Sequence, residues 1–259
     1  MPAQSPALAF EGVSKHYRDT RAVDGVTLAI AGGSFVALVG TSGSGKSTLL
    51  KTVNRLVEPS AGRVTIDGED VASGPAPALR RRIGYVFQSI GLFPHLSVAE
   101  NIGIGPRLAG AAPADLDRLL DLVELPRTVA ARMPGALSGG QRQRVAIARA
   151  LAQAMGSGGA RLLLLDEALG ALDPVTREEV GRRLLDLHRE LGLTTVLVTH
   201  DMSEALLLAD RVVVTAAGRI VGDATPAALV AGEGGEAAQA LVAVPRHQAE
   251  RLAALGERA

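Results

Sequence analysis

The sequence predicts an α/β fold in which a mostly parallel sheet is flanked by helices, and three observations support that prediction. A glycine-rich loop at 40–47 lies between the apolar run Phe35–Val39 and a segment, 48–57, whose apolar residues recur at helical spacing. Two further runs, Leu162–Leu165 and Thr194–Thr199, have the character of strands buried on both faces of a parallel sheet. Predicted strands and helices also alternate along the chain around the loop, as they do in helix-flanked parallel sheets.

Short β-like runs separated by turn signals lie on both sides of the loop. They are Ala7–Phe10, Val26–Ile30, Arg63–Gly68 and Ile83–Phe87. Further along, Arg211–Val221 has the pattern of a hairpin that turns at 216–218. The chain after Thr225 is rich in Ala and Gly with weak helical patterning, and we interpret 225–259 as a short tail without chemistry of its own and without a separate regulatory domain.

The segment 89–137 differs in character, since Pro and Gly punctuate it and it contains one clear amphipathic helix. Four apolar residues share one face of that helix: Leu116, Leu119, Leu120 and Val123. Ser138 then occupies the N-cap position of a helix that runs to about Ala154. We therefore predict a helical subdomain at about 89–155, inserted into a single domain spanning 1–259.

Composition limits the classes of function. With 259 residues the chain can bury a core, and 47% hydrophobic but only 2% aromatic residues predict that this core is aliphatic. The formal net charge of zero argues against strong attraction to nucleic acid or anionic lipid, while leaving a local patch open. Cysteine is absent, which excludes thiolate metal sites. Because neither a signal peptide nor a spanning apolar stretch is visible, we expect a cytoplasmic protein that reaches the membrane through a partner.

The loop has the G-x-x-x-x-G-K-[ST] pattern of a phosphate-binding loop. It consists of Gly40, Thr41, Ser42, Gly43, Ser44, Gly45, Lys46 and Ser47, and Thr48 follows it. Glycines let successive N–H groups point at an anion, and the start of the following helix adds its positive end. Lys46 supplies a charge for the β- and γ-phosphates, and the Ser47 hydroxyl can ligate Mg²⁺. The alternative is a glycine-rich turn that happens to carry a lysine, but the flanking strand and helix favour a nucleotide site.

A phosphate loop needs an acidic partner for Mg²⁺, and the run Leu162–Leu165 is followed by Asp166 and Glu167. Ligands bind beyond the carboxyl ends of parallel strands, so Asp166 is positioned for the metal shell. Glu167 can orient and deprotonate the attacking water. On its own, an apolar run followed by two acids is also consistent with a strand that enters a solvated turn.

Three other residues carry candidate chemistry, each with a plainer alternative. His200 follows the predicted strand at 194–199 and can hydrogen-bond a γ-phosphate, although a lone strand-end histidine is more often structural. Gln88 also lies at a strand end, where its amide can reach Mg²⁺ or water. The plainer alternative is that Gln88 is only a polar residue at the point where the chain leaves the sheet. Tyr17 precedes the loop and can stack on an adenine or pack in the ordinary way.

The order of these residues resembles the ATP-binding subunit of ABC transporters over nearly the whole chain. The order is Tyr17, the loop 40–47, Gln88, Leu137-Ser138-Gly139-Gly140-Gln141, Asp166-Glu167, Ala171-Leu172-Asp173 and His200. The five-residue segment 137–141 is the signature of that family and is far more specific than the phosphate loop.

The resemblance implies a P-loop NTPase core of the RecA-like type, with an N-terminal antiparallel β subdomain and an inserted helical subdomain, that binds ATP with Mg²⁺. It further implies a head-to-tail homodimer in which Ser138, Gly139, Gly140 and Gln141 of one copy complete the ATP site of the other, with Asp173 near the seam. The physical properties of the signature agree, because a helix that begins Ser-Gly-Gly exposes N–H groups suited to a γ-phosphate.

The implied partners, besides the second copy, are integral membrane permease subunits and a periplasmic or lipid-anchored solute-binding protein, with no nucleic acid. Hydrolysis or product release opens the dimer, and the motion passes to the membrane subunits through the segment after Gln88. The resemblance thus implies a cytoplasmic protein held peripherally on the inner face of the cell membrane.

Two stretches, 53–62 and 84–98, resemble more narrowly the ATPases of importers for glycine betaine, choline and related quaternary amines. Two departures from the family pattern stand out. Ala168 replaces the usual proline, and we expect this to loosen the turn that positions Glu167; the loop 153–160 is longer and richer in glycine than usual. Some betaine-importer ATPases carry an appended regulatory pair of small domains, for which too few residues follow the hairpin here.

Three other functions remain open at this stage. A non-transport member of the superfamily, acting in repair, division or translation, is disfavoured by the single nucleotide domain and by the lack of a coiled-coil insertion or basic arm. An export or lipid-transport ATPase keeps the chemistry and changes only its direction. A nucleotide-binding regulator that does not hydrolyse is disfavoured by the presence of Glu167 and His200.

Overall fold

The computed structural model describes residues 6–156 and 161–256. Its strands are β1 Leu8–Tyr17, β2 Thr20–Ile30, β3 Phe35–Val39, β4 Ala61–Ile66, β5 Glu69–Asp70, β6 Ile83–Val86, β7 Leu162–Asp166, β8 Thr194–Thr199, β9 Arg211–Ala216 and β10 Arg219–Ala224. Its helices are α1 Lys46–Val53, α2 Ala76–Arg80, α3 Val98–Ala109, α4 Leu116–Leu122, α5 Gly139–Gly156, α6 Pro174–Leu191, α7 Met202–Leu208, α8 Pro226–Val230 and α9 Glu236–Gly256.

Within these residues the strands form two sheets. The larger has the order β10-β9-β3-β8-β7-β6 and is parallel except for the edge strand β10, which confirms the predicted mostly parallel sheet. The smaller sheet, β2-β1-β4-β5, is antiparallel. Because β3, β7 and β8 are neighbours and parallel, their carboxyl ends bring the loop 40–47, Asp166 and His200 to one edge of the sheet.

The strands β3, β7 and β8 are buried on both faces, which explains why apolar and polar residues do not alternate along them. Ala37, Leu163 and Leu197 contribute to a core shared with helices α3–α6. Alternate residues of the same strands, such as Leu38 and Leu164, contribute to a second core shared with α1 and the antiparallel sheet. Helix α5 approaches β6 so closely that a Cβ at Gly84 would overlap the backbone of Ala150.

The first two strands are longer than the patterns predicted. β1 continues past Phe10 to Tyr17, and β2 begins at Thr20 and not at Val26. The additional residues pair with each other, but register shifts interrupt the pairing and break the alternation of apolar and polar residues. Gly12 has a φ of 60°, a conformation that glycine adopts without strain.

The segment 89–137 contains α4, as predicted, and also α3, which was not predicted. Helix α3 begins with a capping box in which the Ser97 hydroxyl accepts from the Glu100 N–H and the Glu100 carboxylate accepts from the Ser97 N–H. Pro106 inside the helix and Gly110 at its end gave the segment the appearance of a loop. The Ser-x-x-Glu pattern before an apolar run was the signal that could have revealed it.

Helix α5 extends to Gly156, so the first half of the glycine-rich loop predicted at 153–160 is helical, while 157–160 lie outside the described residues. The hairpin predicted at 211–221 is present as β9 and β10, and Ala217 and Gly218 at its turn have positive φ. The tail forms α8 and α9, whose residues Ala238 and Val242 are buried in the core.

His188 is a titratable side chain buried inside this fold. It lies on α6 with its Nδ1 3.0 Å from the Thr195 hydroxyl, and its ring centroid lies 5.2 Å from that of Phe35. Burial lowers the pKa of His188, an effect that the negative charge of Asp210 only partly opposes. The folded protein therefore favours the neutral imidazole.

We predict that His188 makes the fold sensitive to acid. Its folded pKa lies below the ordinary value of about 6.5, so its contribution to stability is fully present above about pH 6.5 and is lost as the pH falls below it. His188→Gln, which cannot titrate, should lose less free energy of unfolding than the native chain between about pH 7.5 and about pH 5.5. Urea unfolding at each pH measures this, and equal losses in the two proteins would contradict it.

Candidate nucleotide site

The loop between β3 and α1 is shaped by glycines and held from two sides. Gly45 has a φ of 96°, and a Cβ there would overlap the carbonyl oxygen of Ala22 on β2. The Ser44 hydroxyl lies 3.0 Å from the Thr215 hydroxyl on β9, and the Ser44 carbonyl accepts from the Gly218 N–H at 3.2 Å. The loop therefore sits on both the first hairpin and the β9–β10 hairpin.

Lys46 begins α1, and its ammonium curls over the loop. Its Nζ donates to the carbonyl oxygens of Gly40 at 2.7 Å and Thr41 at 2.9 Å, and to the Ser44 hydroxyl at 3.1 Å. Burial lowers the pKa of Lys46, while the carboxylates of Glu167 and Asp166 act in the opposite direction. The N-cap of α1 is Gly45, which has no side chain to cap the helix, so this end of the helix, together with the lysine, suits an anion.

Asp166 ends β7 and is fully buried. Its Oδ1 accepts from the Ser47 hydroxyl at 2.6 Å, its Oδ2 accepts from the Tyr85 hydroxyl at 3.1 Å, and the ammonium of Lys51 lies 3.8 Å from Oδ2. Burial and the charge of Asp166 raise the pKa of Tyr85, which keeps the phenol protonated as a donor. Tyr85 was not predicted as a site residue; its position in the strand that leads to Gln88 was the available signal.

Glu167 follows Asp166 in a left-handed backbone conformation, with a φ of 52°. Its N–H donates to the Val198 carbonyl oxygen at 2.9 Å, and its Oε2 accepts from the Gln88 side-chain amide at 3.0 Å. The Nδ1 of His200 lies 3.9 Å from the same oxygen. Non-glycine residues in this conformation are strained and concentrate at functional sites. The structure thus brings Gln88, Glu167 and His200 together, next to Asp166.

The turn after Glu167 contains Ala168, which is fully buried. Its carbonyl oxygen accepts from the side-chain amide of Gln143 on α5 at 2.6 Å. Helix α5 therefore braces the turn at the position where the sequence lacks the usual proline. The loosening expected from Ala168 stays a prediction.

Tyr17 lies at the end of β1 and is 46% exposed, so it is not a core residue. It pairs with Thr20 at the end of the first hairpin, the hairpin whose Ala22 abuts Gly45 in the loop. The ammonium of Lys15 lies 5.1 Å from its ring centroid. The ring is thus an exposed aromatic surface on the element that supports the loop.

The signature residues form the start of α5. The Gln141 N–H donates to the Ser138 hydroxyl at 3.2 Å, and the Ser138 N–H donates to the Gln141 side chain at 3.0 Å, which confirms Ser138 as the predicted N-cap. Gly139 opens the helix, and the Cβ position of Gly140 faces Leu172. Among the described residues, no hydrogen bond links this helix start to the loop 40–47 of the same chain.

Asp173 caps the start of α6, where its carboxylate accepts from the Thr176 N–H at 3.1 Å. Hydrogen bonding to Thr176 lowers the pKa of Asp173. Leu172, the residue before Asp173, lies against Gly140 of the signature helix.

The oxygen atoms beside the loop suit Mg²⁺. The Ser47 hydroxyl and the Asp166 carboxylate are hydrogen-bonded to each other, and Gln88, whose amide nitrogen is used by Glu167, has its amide oxygen left to accept or ligate. Mg²⁺ prefers oxygen ligands and takes only one or two carboxylates together with phosphates and water. No cluster of three or more acidic, His or Cys side chains that could hold a metal ion occurs in the described part of the chain.

Comparison with known proteins decides the family. The family model described as ABC transporter matches residues 23–170. The chain belongs to the ABC transporter family. It is accordingly an ATPase of the ABC type, and its loop 40–47, its signature 137–141 and Asp166 all lie within the matched region.

Individual relatives agree with this assignment. The glycine betaine uptake system ATP-binding protein YehX of Escherichia coli is 47% identical over 223 residues, which cover 85% of this chain and 71% of that protein. The choline transport ATP-binding protein OpuBA of Bacillus subtilis is 45% identical, with 85% and 58% covered. The Fe(3+) ions import ATP-binding protein FbpC 2 of Rhodococcus jostii is 46% identical, with 85% and 62% covered. The ABC chain thus spans between about three fifths and seven tenths of the length of these relatives.

Solved structures of ABC cassettes share the fold. The dimeric structure of the bacterial ABC transporter cassette MJ0796 is 33% identical with a TM-score of 0.76, and the match covers 85% of this chain and 98% of that one. A post-hydrolysis state of the same cassette, bound to ADP and Pi, matches equally well. None of the described helices of the present chain combines the length and apolar character needed to cross a membrane.

We predict different costs for alanine at two glycines of the loop. Gly43 and Gly45 both have positive φ, of 79° and 96°, but only a Cβ at Gly45 meets another part of the chain. Gly43→Ala should lower the free energy of unfolding by about 1–2 kcal/mol, the cost of the left-handed conformation. Gly45→Ala should lower it further and also weaken ATP binding, because the loop must move away from Ala22. Urea unfolding and nucleotide titration test this; equal effects of the two variants would contradict it.

Proposed function

We propose that two copies of this ABC-type ATPase hydrolyse ATP together and so energise the import of a small solute through separate membrane subunits. The convergence of Gln88, Glu167 and His200 beside the loop and Asp166 carries the proposal. Phosphoryl transfer to water needs a group that accepts the proton of water and groups that bind the metal and the γ-phosphate, and Glu167, Gln88 and His200 can fill these roles. Their arrangement on one edge of a parallel sheet also leaves the loop open to a triphosphate.

The residues around the triphosphate have separate roles in this proposal. The N–H groups of 40–48 and the ammonium of Lys46 bind the phosphates, and the exposed ring of Tyr17 stacks on the adenine. Ser47, Asp166 and Gln88 would hold Mg²⁺, which would supply positive charge to offset the charge on the phosphate oxygens.

We assign proton transfer to Glu167 and the stabilisation of charge on the γ-phosphate to His200. The Glu167 carboxylate accepts the proton of the attacking water, and its hydrogen bond with Gln88 keeps it aimed at that water. The imidazole of His200, which is 67% exposed, donates to the γ-phosphate. The bond from the Glu167 N–H to the Val198 carbonyl oxygen helps to maintain the left-handed backbone conformation of Glu167.

A second copy is needed to complete the site. The start of α5, with Ser138, Gly139, Gly140 and Gln141, has the N–H groups and dipole that suit a γ-phosphate. It contacts Leu172, next to Asp173, and within the described part of the chain no hydrogen bond joins it to its own loop. In a head-to-tail dimer these residues face the triphosphate of the other copy. The dimeric state of the related cassette MJ0796 supports this assembly.

We assign the contact with the membrane subunits to the surface after Gln88. A cavity of about 270 Å³ opens there, lined in part by Phe87, Phe93, Leu108 and Arg149. Phe93 is 43% exposed and Leu108 is 64% exposed, so the rim offers apolar area to a partner. Arg149 of α5 donates to the backbone carbonyls at 90 and 91, at 3.1 and 2.8 Å, which connects this surface to the signature helix.

The proposed solute is a quaternary amine such as glycine betaine or choline, delivered by a periplasmic or lipid-anchored binding protein. The names of YehX and OpuBA support this choice, whereas the equally similar iron-import protein supports a different cargo for the same ATPase chemistry. Hydrolysis stimulated by choline or glycine betaine, and not by ferric ion, in vesicles that contain the permease and binding protein would decide for the amine.

We predict that Glu167→Gln keeps ATP binding and loses hydrolysis. The amide retains the size of the carboxylate but cannot accept the proton of water, so the rate of phosphate release should fall by about a hundredfold or more. Glu190→Gln, which changes an exposed carboxylate on α6 that pairs with Arg118, is the matched control and should stay near the native rate. Normal turnover by Glu167→Gln in the assembled transporter would remove Glu167 from the role of base.

Two inactive variants should restore activity to each other. Lys46→Ala damages the loop and Ser138→Arg blocks the signature, so neither protein alone should hydrolyse ATP. In a mixed head-to-tail dimer, the intact loop of the Ser138→Arg copy faces the intact signature of the Lys46→Ala copy, and one complete site results. Phosphate release from an equimolar mixture measures this recovery. An active Ser138→Arg protein on its own, or a mixture as inactive as its components, would contradict the shared site.

A further inference from the structure

Arg177 joins two loops of the nucleotide site and has no part in the roles assigned above. It lies near the start of α6, and its Nη2 reaches back to the backbone of the 168–173 segment. There it donates to the carbonyl oxygen of Leu172 at 2.9 Å and to that of Gly170 at 3.3 Å. On its other side, Nη1 lies 3.8 Å from Oδ2 of Asp201, the residue directly after His200.

Hydrogen bonds hold Asp201 in place, and Asp201 directly follows His200. The contact between Arg177 and Asp201 therefore helps to fix the position of His200. The Oδ1 of Asp201 caps α7 by accepting from the N–H groups of Ser203 at 2.8 Å and Glu204 at 3.3 Å. Its own N–H donates to the Thr199 hydroxyl at 3.0 Å. These bonds tie both sides of the His200 turn to β8 and α7 and leave Oδ2 for the guanidinium.

Stability alone does not account for Arg177. The side chains of Arg177 and Asp201 are 33% and 38% exposed, and ion pairs of that exposure and length contribute little to the free energy of folding. The Nε of Arg177 is buried and has no hydrogen-bond partner among the described residues, which costs free energy. The two carbonyl hydrogen bonds stabilise the 168–173 segment, whereas the contact with Asp201 adds little stability and mainly fixes the relative position of the two loops.

We propose that Arg177 is a positioning residue that holds the 168–173 segment and the His200 turn in one arrangement. The inference rests on the proposed function, because the proposed function places His200 at the γ-phosphate and Asp173 at the dimer seam. A movement of the 168–173 segment at the seam displaces the guanidinium, and the guanidinium displaces Asp201 and with it His200.

The test compares ATP hydrolysis by variants of the full chain. Arg177→Met removes every donor and keeps the aliphatic stem, whereas Arg177→Lys keeps the charge and part of the bonding. Arg183→Met is the matched control, because Arg183 lies on the same helix and bonds to Glu179 and to the Asp121 carbonyl. Arg177→Met should lower kcat about tenfold or more with little change in the KM for ATP, since small misplacements of reacting groups are costly. Arg177→Lys should recover part of the loss, and Arg183→Met should resemble the native chain.

A double-mutant cycle tests the route through Asp201. Asp201→Asn keeps the cap of α7 and removes the charge that faces Arg177. If Arg177 acts through Asp201, adding Asp201→Asn to Arg177→Met should change kcat little further, because the two losses are not additive. Fully additive losses would overturn this route.

The other outcomes are equally decisive. A native kcat in Arg177→Met, or a fall in kcat matched by an equal fall in the folded fraction measured by urea unfolding, would overturn the inference and leave the proposed function standing. A native chain, assembled with its partners, that hydrolyses no ATP would overturn both. A lowered kcat in a fully folded Arg177→Met with native KM and partial rescue by lysine supports the positioning role.

Discussion

The structure depends on a buried carboxylate. Asp166 has no contact with solvent, and a buried charge without partners would be strongly destabilising. Ser47 at the start of α1, Tyr85 on β6 and Lys51 further along α1 supply the hydrogen bonds and the positive charge that it needs. Satisfying this one side chain therefore fixes α1, β6 and β7 relative to one another, and it places the phosphate loop over the end of the sheet.

The neighbouring carboxylate, Glu167, is held in the opposite way. It lies in a strained left-handed conformation that costs about 1–3 kcal/mol, and it is partly exposed where Asp166 is buried. The backbone bond to Val198, the amide of Gln88 and the brace from Gln143 to Ala168 maintain that conformation. Two adjacent acids thus have different environments, one suited to a metal and the other to accepting a proton.

The sequence was informative where burial or a steric requirement acts on neighbouring residues. The continuous apolar run of β7 and the pattern of the loop 40–47 predicted the parallel core and the location of Asp166. Local sequence patterns did not predict features that depend on a contact between residues far apart in the sequence. β1 and β2 owe their length to pairing with each other across bulges, and Tyr85 owes its role to a carboxylate 81 residues away. Arg177 was missed for the same reason, because its acceptors come from two separate loops.

The attachment of the loop to both hairpins has a mechanical consequence. Ser44 is bonded to β9 and to the β9–β10 turn, the carbonyl of that turn accepts from the N–H of Asp24 on β2, and Gly45 is pressed against Ala22. These links form a closed ring of contacts, so the loop 40–47 cannot tilt independently of the smaller sheet, which contains β2, and the larger sheet, which contains β9 and β10. The loop 40–47 is therefore coupled to both hairpins, and a change in the position of either hairpin would also move the loop.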